Sequence, residues 1–142
     1  MRSSPHPHET TMETLPPVSV EDVTTYRRNL QQRAQLRLRE KEKRRQRARQ
    51  VVRDAVSVVV SRYPTVRRVY LFGSVTRPGA FGPDSDVDIG VEGASMALCL
   101  DIWRDLEKAV PQWQLDVRSL KEGDPFAERV RQKGELVYER PV

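Results

Sequence analysis

The feature that most constrains the fold is a short apolar run that ends in a Gly-Ser pair and leads, through a turn rich in proline and glycine, to two aspartates. Residues 69–72 are VYLF, and residues 73–88 are GSVTRPGAFGPDSDVD. Successive side chains of a strand point to opposite faces of its sheet, so Asp86 and Asp88 should share one face while Val87 faces the core. The segment predicts two strands joined by a loop, with a pair of carboxylates at one end.

The chemistry of these residues indicates a site for a metal ion and a triphosphate. Two neighbouring carboxylates repel each other unless a cation lies between them. Hard divalent cations prefer oxygen ligands, and Mg²⁺ is commonly held by one or two carboxylates together with substrate phosphates. Gly73 has no side chain, so a phosphate group could approach the backbone of the Gly-Ser turn closely.

The combined pattern, G-S-x-x-R followed by a loop and S-D-x-D-I, resembles the signature of the nucleotidyltransferase superfamily that includes DNA polymerase beta. The short length resembles its minimal nucleotidyltransferase (MNT) branch. The resemblance covers residues 66–138. It implies a nucleotidyltransferase fold, ATP as the nucleotide donor and a two-metal Mg²⁺ site.

The resemblance also implies roles for residues around the turn. Gly73 and Ser74 would hold the β- and γ-phosphates, and Arg77 would lie near the triphosphate, since a guanidinium group suits phosphate geometry. Ser85 could bond a phosphate or cap the turn, and the turn is the favoured reading. Thr76 stands where the family commonly has a small residue, and Pro78 intervenes before the next glycine, so this loop departs from the family pattern.

A third carboxylate is required by the family, and Asp116 is the best candidate. Residues 112–117 alternate apolar and polar side chains, which is the period of a half-buried strand. Asp116 would project from the polar face and converge with Asp86 and Asp88 if the strands are neighbours. Asp101, Asp105 and Asp124 are weaker candidates: the first two fall in a helical pattern, and the third precedes a proline as a helix cap.

The implied reaction is transfer of a nucleotidyl group, with Asp86, Asp88 and Asp116 as metal ligands and catalytic residues. Small bacterial MNT proteins resemble the antitoxins that are paired with HEPN-type toxins, which implies transfer of AMP from ATP to a tyrosine of the partner toxin. Two alternatives remain open: nucleotidylation of a small molecule such as an antibiotic, and a non-catalytic scaffold that binds RNA or a protein. The acceptor, the base preference and the oligomeric state are also left open.

Charge is distributed very unevenly along the chain. Residues 27–53 hold 12 of the 25 Lys and Arg residues but only two acids, Glu40 and Glu42, although the whole chain has a net charge of only +5. This basic segment could bind nucleic acid, dock on an acidic partner or form a solvated helix face. Between residues 39 and 50 only Ala48 is apolar, so we expect this part to be solvated or to meet a polar partner.

Composition narrows the class of protein further. Cys99 is the only cysteine, which excludes an intramolecular disulfide and a cysteine metal cluster, and its apolar surroundings predict a buried side chain. No apolar run has the length of a membrane span and the N-terminus lacks a signal-peptide pattern, so a cytoplasmic protein without a membrane partner is expected.

The predicted organisation has three parts. Residues 1–18 form a disordered leader that includes His6 and His8, and Met12 rather than Met1 is hypothesised to be the start. Residues 19–63, which lack Gly and Pro, form a basic helical extension of one long helix or two, with Ser19 as the cap and the second half packed on the core. Residues 64–142 form the MNT domain.

That domain alternates strands and helices. Strands are predicted at 66–72, 87–91 and 112–117, with an edge strand at 136–138, and helices at 95–110 and 125–133. The fold class is α/β (α+β), with a small mixed sheet flanked by helices and a long basic N-terminal helix.

Overall fold

A computed structural model describes residues 15–142. Its elements are, in chain order, α1 (Val20–Val60), β1 (Arg68–Phe72), a 3₁₀ turn (Gly73–Thr76), β2 (Val87–Glu92), α2 (Met96–Ala109), β3 (Leu115–Leu120), α3 (Pro125–Lys133) and β4 (Glu135–Glu139). The hypotheses about His6, His8 and Met12 concern residues outside this range. No helix in residues 15–142 is both long and apolar enough to cross a membrane.

Helix α1 is one continuous helix of 41 residues. Ser19 caps it as predicted, because its hydroxyl accepts a 3.0 Å hydrogen bond from the backbone N–H of Asp22. The chain divides into two compact units, one ending at Leu36 and the other comprising Arg37–Val142. In the first unit, the apolar side chains of Val20, Tyr26 and Leu30 are exposed.

In the unit Arg37–Val142, the four strands form one mixed sheet in the order β3-β2-β1-β4. Strand β1 runs antiparallel to both β2 and β4, whereas β2 and β3 are parallel. Parallel neighbours need a crossover connection, and α2 provides it. The predicted mixed sheet with flanking helices is confirmed, including β4 at the edge.

The main core lies on one face of the sheet. Apolar residues of α1 after Arg37 and of α2 pack there against inward-facing strand residues. The fully buried members include Val52, Val56, Ile102, Leu71 and Ile89. Cys99 belongs to this core, as predicted.

A smaller core lies on the opposite face, where α3 covers part of the sheet. Ala127 and Val130 of α3 pack there with Tyr70 and Leu120. Asp124 caps α3, accepting a 3.0 Å hydrogen bond from the backbone N–H of Phe126. Because α3 is only nine residues long, it leaves the edge of this face formed by the start of β2 and β3 partly accessible.

Strand β3 begins later than predicted, at Leu115 rather than residue 112, and continues to Leu120. The turn after α2 accounts for the shift, since the N–H of Trp113 bonds the carbonyl oxygen of Val110. Pairing with β2 then starts with Val87 opposite Leu115. Trp113 is buried although it lies outside the strand, so the alternating pattern of burial extends beyond the strand itself.

The second difference concerns the segment 39–50 of α1, for which exposure or a polar partner was expected. Arg45 is only 5% exposed and Ala48 is fully buried. The guanidinium of Arg45 bonds Glu42 on the same helix and the backbone carbonyl of Val75. Arg45 therefore lies inside the protein because its donors are satisfied there.

Candidate functional site

Two of the three predicted carboxylates are direct neighbours in the sheet. Asp88 of β2 and Asp116 of β3 are paired residues in the parallel register, and both are half-buried. Adjacent strands lie about 4.8 Å apart, so the two side chains leave the sheet close together on one face. Asp86 precedes β2 by one residue and is exposed. The structure thus brings Asp88 and Asp116 together and leaves Asp86 at the margin of the pair.

The positive charge near Asp88 is not sufficient to stabilise the ionised form of its carboxylate. Burial, reinforced by the negative charges of Asp116 and Asp86, raises the pKa of Asp88 to about 6, although Arg118 opposes the shift. Arg118 pairs with Asp116 across 3.1 Å. A cation placed between the carboxylates would relieve the repulsion that Arg118 relieves only in part.

Gly73 lies directly against this pair. Its φ of +72° belongs to the left-handed region, and a Cβ atom added there would collide with the carboxylate of Asp88. Glycine is therefore required both by the backbone conformation and by the close approach of the turn to the carboxylate. Ser74 follows in the 3₁₀ turn, where it is half-buried and its carbonyl accepts a hydrogen bond from the N–H of Arg77.

The two remaining predicted residues lie in the loop between β1 and β2. Arg77 is exposed and borders a cleft next to Gly73. The hydroxyl of Ser85 accepts a 2.8 Å hydrogen bond from the N–H of Gly82 and so caps the turn. This contact agrees with the turn-capping reading of Ser85.

The cleft next to Gly73 has a volume of about 380 Å³. Its walls come from the end of β1, the 3₁₀ turn and α3, and they comprise Phe72, Gly73, Thr76, Arg77, Phe126, Arg129, Val130, Lys133 and Gly134. A larger groove of about 630 Å³ between α1 and α2 contains none of the predicted site residues. The cleft beside Gly73 adjoins the carboxylate of Asp88 through Gly73, whereas a separate groove of about 470 Å³ is lined by Asp86 together with Trp113 and Leu115.

Sequence reasoning missed Arg118 and the cationic residues of α3. Arg118 could have been found, because it lies two positions after Asp116 and therefore on the same face of β3. Its guanidinium also lies 5.6 Å from the ring centroid of Phe126. No local signal placed Arg129 and Lys133 near the turn, since their position depends on how α3 packs on the sheet.

The donor chemistry of the carboxylates fits a hard divalent cation, although they are not assembled around one. Among residues 15–142, no three carboxylate, imidazole or thiolate side chains are grouped closely enough to form a ready-made metal centre. Cation binding would require Asp116 to exchange its ion pair with Arg118 for the metal. The neighbouring positions and the raised pKa of Asp88 favour that exchange.

The weaker candidate carboxylates have other partners. Asp105 accepts a hydrogen bond from the Tyr63 hydroxyl, which raises the pKa of Tyr63 to about 12. Asp101 pairs with Arg104 on the surface of α2, and Asp124 caps α3. Each of the three thus has a structural contact away from the carboxylate pair.

Several arginines of the basic segment form contacts with other parts of the protein. Arg49 forms a bidentate ion pair with Glu135 of β4, and Arg53 approaches the same carboxylate. Arg44 donates to the carbonyl of Pro83 and lies over the ring of Trp113. These contacts, with those of Arg45, hold the part of α1 after Arg37 against the sheet and reduce the charge available for an external partner.

Comparison with protein families finds a match over more than half of the chain. A family model described as "Polymerase beta, Nucleotidyltransferase" matches residues 55–141. No curated protein sequence matches the chain. The matched region includes every predicted site residue and excludes the whole basic segment, residues 27–53.

Solved structures with a similar fold include a toxin–antitoxin with AMP-PNP, at TM-score 0.52 and 20% identity, covering 62% of this chain and 73% of that one. A tri-AMPylated Shewanella oneidensis HEPN toxin in complex with MNT antitoxin matches at TM-score 0.48 and 19% identity, covering 64% and 72%. A nucleotidyltransferase from Sulfolobus solfataricus, so described, matches at TM-score 0.45 and 25% identity, covering 68% and 84%.

Proposed function

The chain belongs to the polymerase beta nucleotidyltransferase family, and from that premise we propose that it is a Mg²⁺-dependent enzyme that transfers AMP from ATP to a tyrosine of a HEPN-type toxin. The observation that carries the proposal is the pairing of Asp88 with Asp116 beside Gly73. This arrangement combines oxygen ligands for a divalent cation with a backbone turn that a phosphate can approach closely.

Each residue of the site has a role in this proposal. Asp86, Asp88 and Asp116 hold Mg²⁺, which when bound would neutralise charge on the phosphates. The backbone N–H of Gly73 and the hydroxyl of Ser74 hold the β- and γ-phosphates, in a turn whose close approach to Asp88 leaves no room for a side chain at Gly73.

Residues of the loop support this arrangement. Arg77 adds positive charge at the edge of the cleft, where its side chain is exposed. Ser85 keeps the loop before Asp86 folded through its bond to Gly82.

The proposed step is an in-line substitution at the α-phosphorus of ATP. The tyrosine oxygen forms a bond to phosphorus, the bond to the bridging oxygen breaks, and pyrophosphate leaves with the electron pair. Asp116 accepts the proton of the tyrosine hydroxyl, because it is the carboxylate assigned to the acceptor side. Fixed geometry and charge neutralisation contribute most of the rate in reactions of this kind.

The choice of acceptor rests on the resemblance to the MNT branch. The structural neighbour described as a toxin–antitoxin with AMP-PNP agrees with that choice, but its 20% identity is evidence for the fold alone. A small-molecule acceptor is the alternative. We place the reaction in the cytoplasm, where ATP and a partner toxin are both available.

The direct test uses ATP labelled at the α-phosphate, Mg²⁺ and a candidate HEPN-type toxin from the same organism. The wild type should label that protein on tyrosine, as identified by mass spectrometry, and Asp86→Asn and Asp88→Asn should each abolish labelling. Asp84→Asn is the matched control, because Asp84 is exposed in the same loop but is not part of the proposed ligand set. It should retain wild-type labelling.

Two results would contradict the proposal. Labelling at the wild-type rate in both Asp86→Asn and Asp88→Asn would show that the carboxylates are not the metal ligands. If label were found only on a small molecule, the chain would still be a nucleotidyltransferase, but the toxin would be excluded as its acceptor.

A further inference from the structure

We propose that Arg129 and Lys133 of α3 bind the terminal phosphates of a nucleoside triphosphate in the cleft beside Gly73. The inference rests on the proposed function, because it identifies groups that hold the nucleotide of that reaction. Neither residue belongs to the Gly-Ser turn or to the carboxylates, and neither was predicted from the sequence.

The position of α3 brings the two side chains to the same cleft. Arg129 and Lys133 are four residues apart on a helix, so they project from the same side of α3. Both line the cleft of about 380 Å³ together with Gly73 and Arg77. Packing of Val130 and Ala127 on the sheet fixes the helix in this orientation.

The charge around the cleft is positive and uncompensated. Arg131, which lies between the two residues in sequence, pairs with Glu92 and Glu128, and Arg118 pairs with Asp116. Among residues 15–142, by contrast, no carboxylate oxygen lies within 4.0 Å of the cationic groups of Arg77, Arg129 or Lys133. Three cations that face one cleft without a counter-charge favour a polyanionic ligand.

The site has two electrostatic ends, and Gly73 borders both. On one side of Gly73 lies the carboxylate of Asp88, and on the other lies the cationic cleft. A nucleoside triphosphate with its cation matches this arrangement: the carboxylates would hold the cation, and Arg129 and Lys133 would hold the terminal phosphates. A simple anion without a bound cation would match the cationic cleft but not the carboxylates on the other side of Gly73.

The floor of the cleft is aromatic and well packed. The rings of Phe72 and Phe126 meet edge to face, with centroids 5.5 Å apart. The volume falls within the range of about 300–1,000 Å³ that is usual for small-molecule sites, which combine apolar walls with a few convergent polar groups. The contact between Phe72 at the end of β1 and Phe126 of α3 links the strand that leads into the Gly-Ser turn to the helix that carries the cations.

The test is equilibrium binding of nucleotides by calorimetry in the presence of Mg²⁺, without any acceptor. The double variant Arg129→Gln/Lys133→Gln should bind ATP about 10- to 100-fold more weakly than the wild type, because two charge-assisted contacts are lost. Its affinity for AMP should be unchanged, because AMP lacks the terminal phosphates. Inorganic tripolyphosphate should compete with ATP on the wild type and compete much less effectively on the variant.

The matched control is Arg104→Gln/Lys108→Gln on α2. It removes the same two charges at the same helical spacing, and its residues are exposed and line no part of the cleft. Its affinity for ATP should equal that of the wild type. A similar loss of ATP affinity in this control would show that the effect reflects net charge and would overturn the inference.

The outcomes also separate this inference from the proposed function. If the wild type transfers AMP to its partner and the α3 variant binds ATP as the wild type does, the inference fails and the function stands. If the wild type binds ATP but modifies no protein, while the α3 variant loses ATP affinity selectively, the inference stands and the toxin-directed function fails.

Discussion

Arg45 of α1 donates a 2.8 Å hydrogen bond from Nη1 to the carbonyl oxygen of Val75, in the 3₁₀ turn that contains Gly73 and Ser74. The other side of its guanidinium pairs with Glu42, and this hydrogen bond lowers the pKa of Glu42 to about 2. One residue of the basic segment therefore supports the turn that we assign to phosphate binding.

Replacing Arg45 by alanine should destabilise the protein and loosen the turn. The variant leaves the buried Val75 carbonyl without its donor and removes a packed side chain, so we expect a loss of about 2 kcal/mol in the free energy of unfolding. Urea denaturation measures it. Arg47→Ala is the control, since Arg47 is exposed on the same helix, and equal stability of the two variants would contradict the role given to Arg45.

A methyl group at Gly73 should abolish nucleotidyl transfer. Gly73→Ala places a non-glycine residue at φ +72° and drives its Cβ into the Asp88 carboxylate. Gly79→Ala is a well-matched control: Gly79 has φ +79°, but a Cβ there meets nothing within 4 Å. Both variants should lose about 1–2 kcal/mol of stability from the backbone conformation, and only the first should lose activity.

Transfer rates and thermal unfolding should be measured on both glycine variants. Together they distinguish the effect of a collision with Asp88 from the effect of backbone strain. Full activity in Gly73→Ala would show that the turn does not need to lie against Asp88. A loss of activity in Gly79→Ala comparable to that in Gly73→Ala would assign the effect to the loop backbone.

We expect Asp86 and Asp116 to have different roles, with Asp86 needed to bind the nucleotide donor and Asp116 needed for transfer to the acceptor. Asp116→Asn should leave Mg-ATP affinity within about threefold of the wild type, which corresponds to less than about 1 kcal/mol, and should remove transfer to the partner. Asp86→Asn should weaken Mg-ATP binding as well as transfer. Calorimetry and labelling on the same preparations compare the two, and an Asp116 variant that loses ATP affinity as severely as the Asp86 variant would refute this division.

The sequence was sufficient to predict which side chains share a face: Asp86 with Asp88, and Asp116 on the polar face of its strand, because the motif is local and the strand period determines the face. That Asp88 lies beside Asp116 depends on β2 and β3 being neighbours in the sheet, which the pattern of a single strand does not reveal. Asp88 follows Gly73 by 15 residues in one continuous segment, so its approach to Gly73 needs only a hairpin-like connection. The alternation around Asp116 gave the correct face of β3 even though the strand starts at Leu115.

Other features depend on packing between distant segments, which periodicity does not reveal. Arg45 is buried because a backbone carbonyl from the turn happens to lie within its reach, 30 residues later in the chain. On composition alone, a run of charged residues of this kind is expected to be exposed to solvent. Tests of partner binding through the basic segment should therefore keep Arg45 and change exposed positions such as Lys43 and Arg47.

The ion pair between Arg49 and Glu135 should make stability depend on pH. Arg49 donates to both carboxylate oxygens at 2.6 and 2.7 Å, and this contact holds the pKa of Glu135 below its usual 4.5. The folded protein then binds fewer protons than the unfolded chain, so the stabilisation is present above pH 4.5 and is lost as pH falls through the lowered pKa.

Arg49→Gln should therefore cost about 1 kcal/mol at neutral pH, and its difference from the wild type should shrink as the pH falls below 4.5. Glu42 and Glu92 also have lowered pKa values, but they titrate in both proteins and cancel in the difference. Arg104→Gln, whose exposed partner lies 3.8 Å away, should differ little from the wild type at any pH. Urea unfolding between pH 3 and pH 7 (about the range in which carboxylates titrate) measures all three proteins, and a constant difference for Arg49→Gln would assign its effect to packing, because a lost ion pair must follow the charge on Glu135.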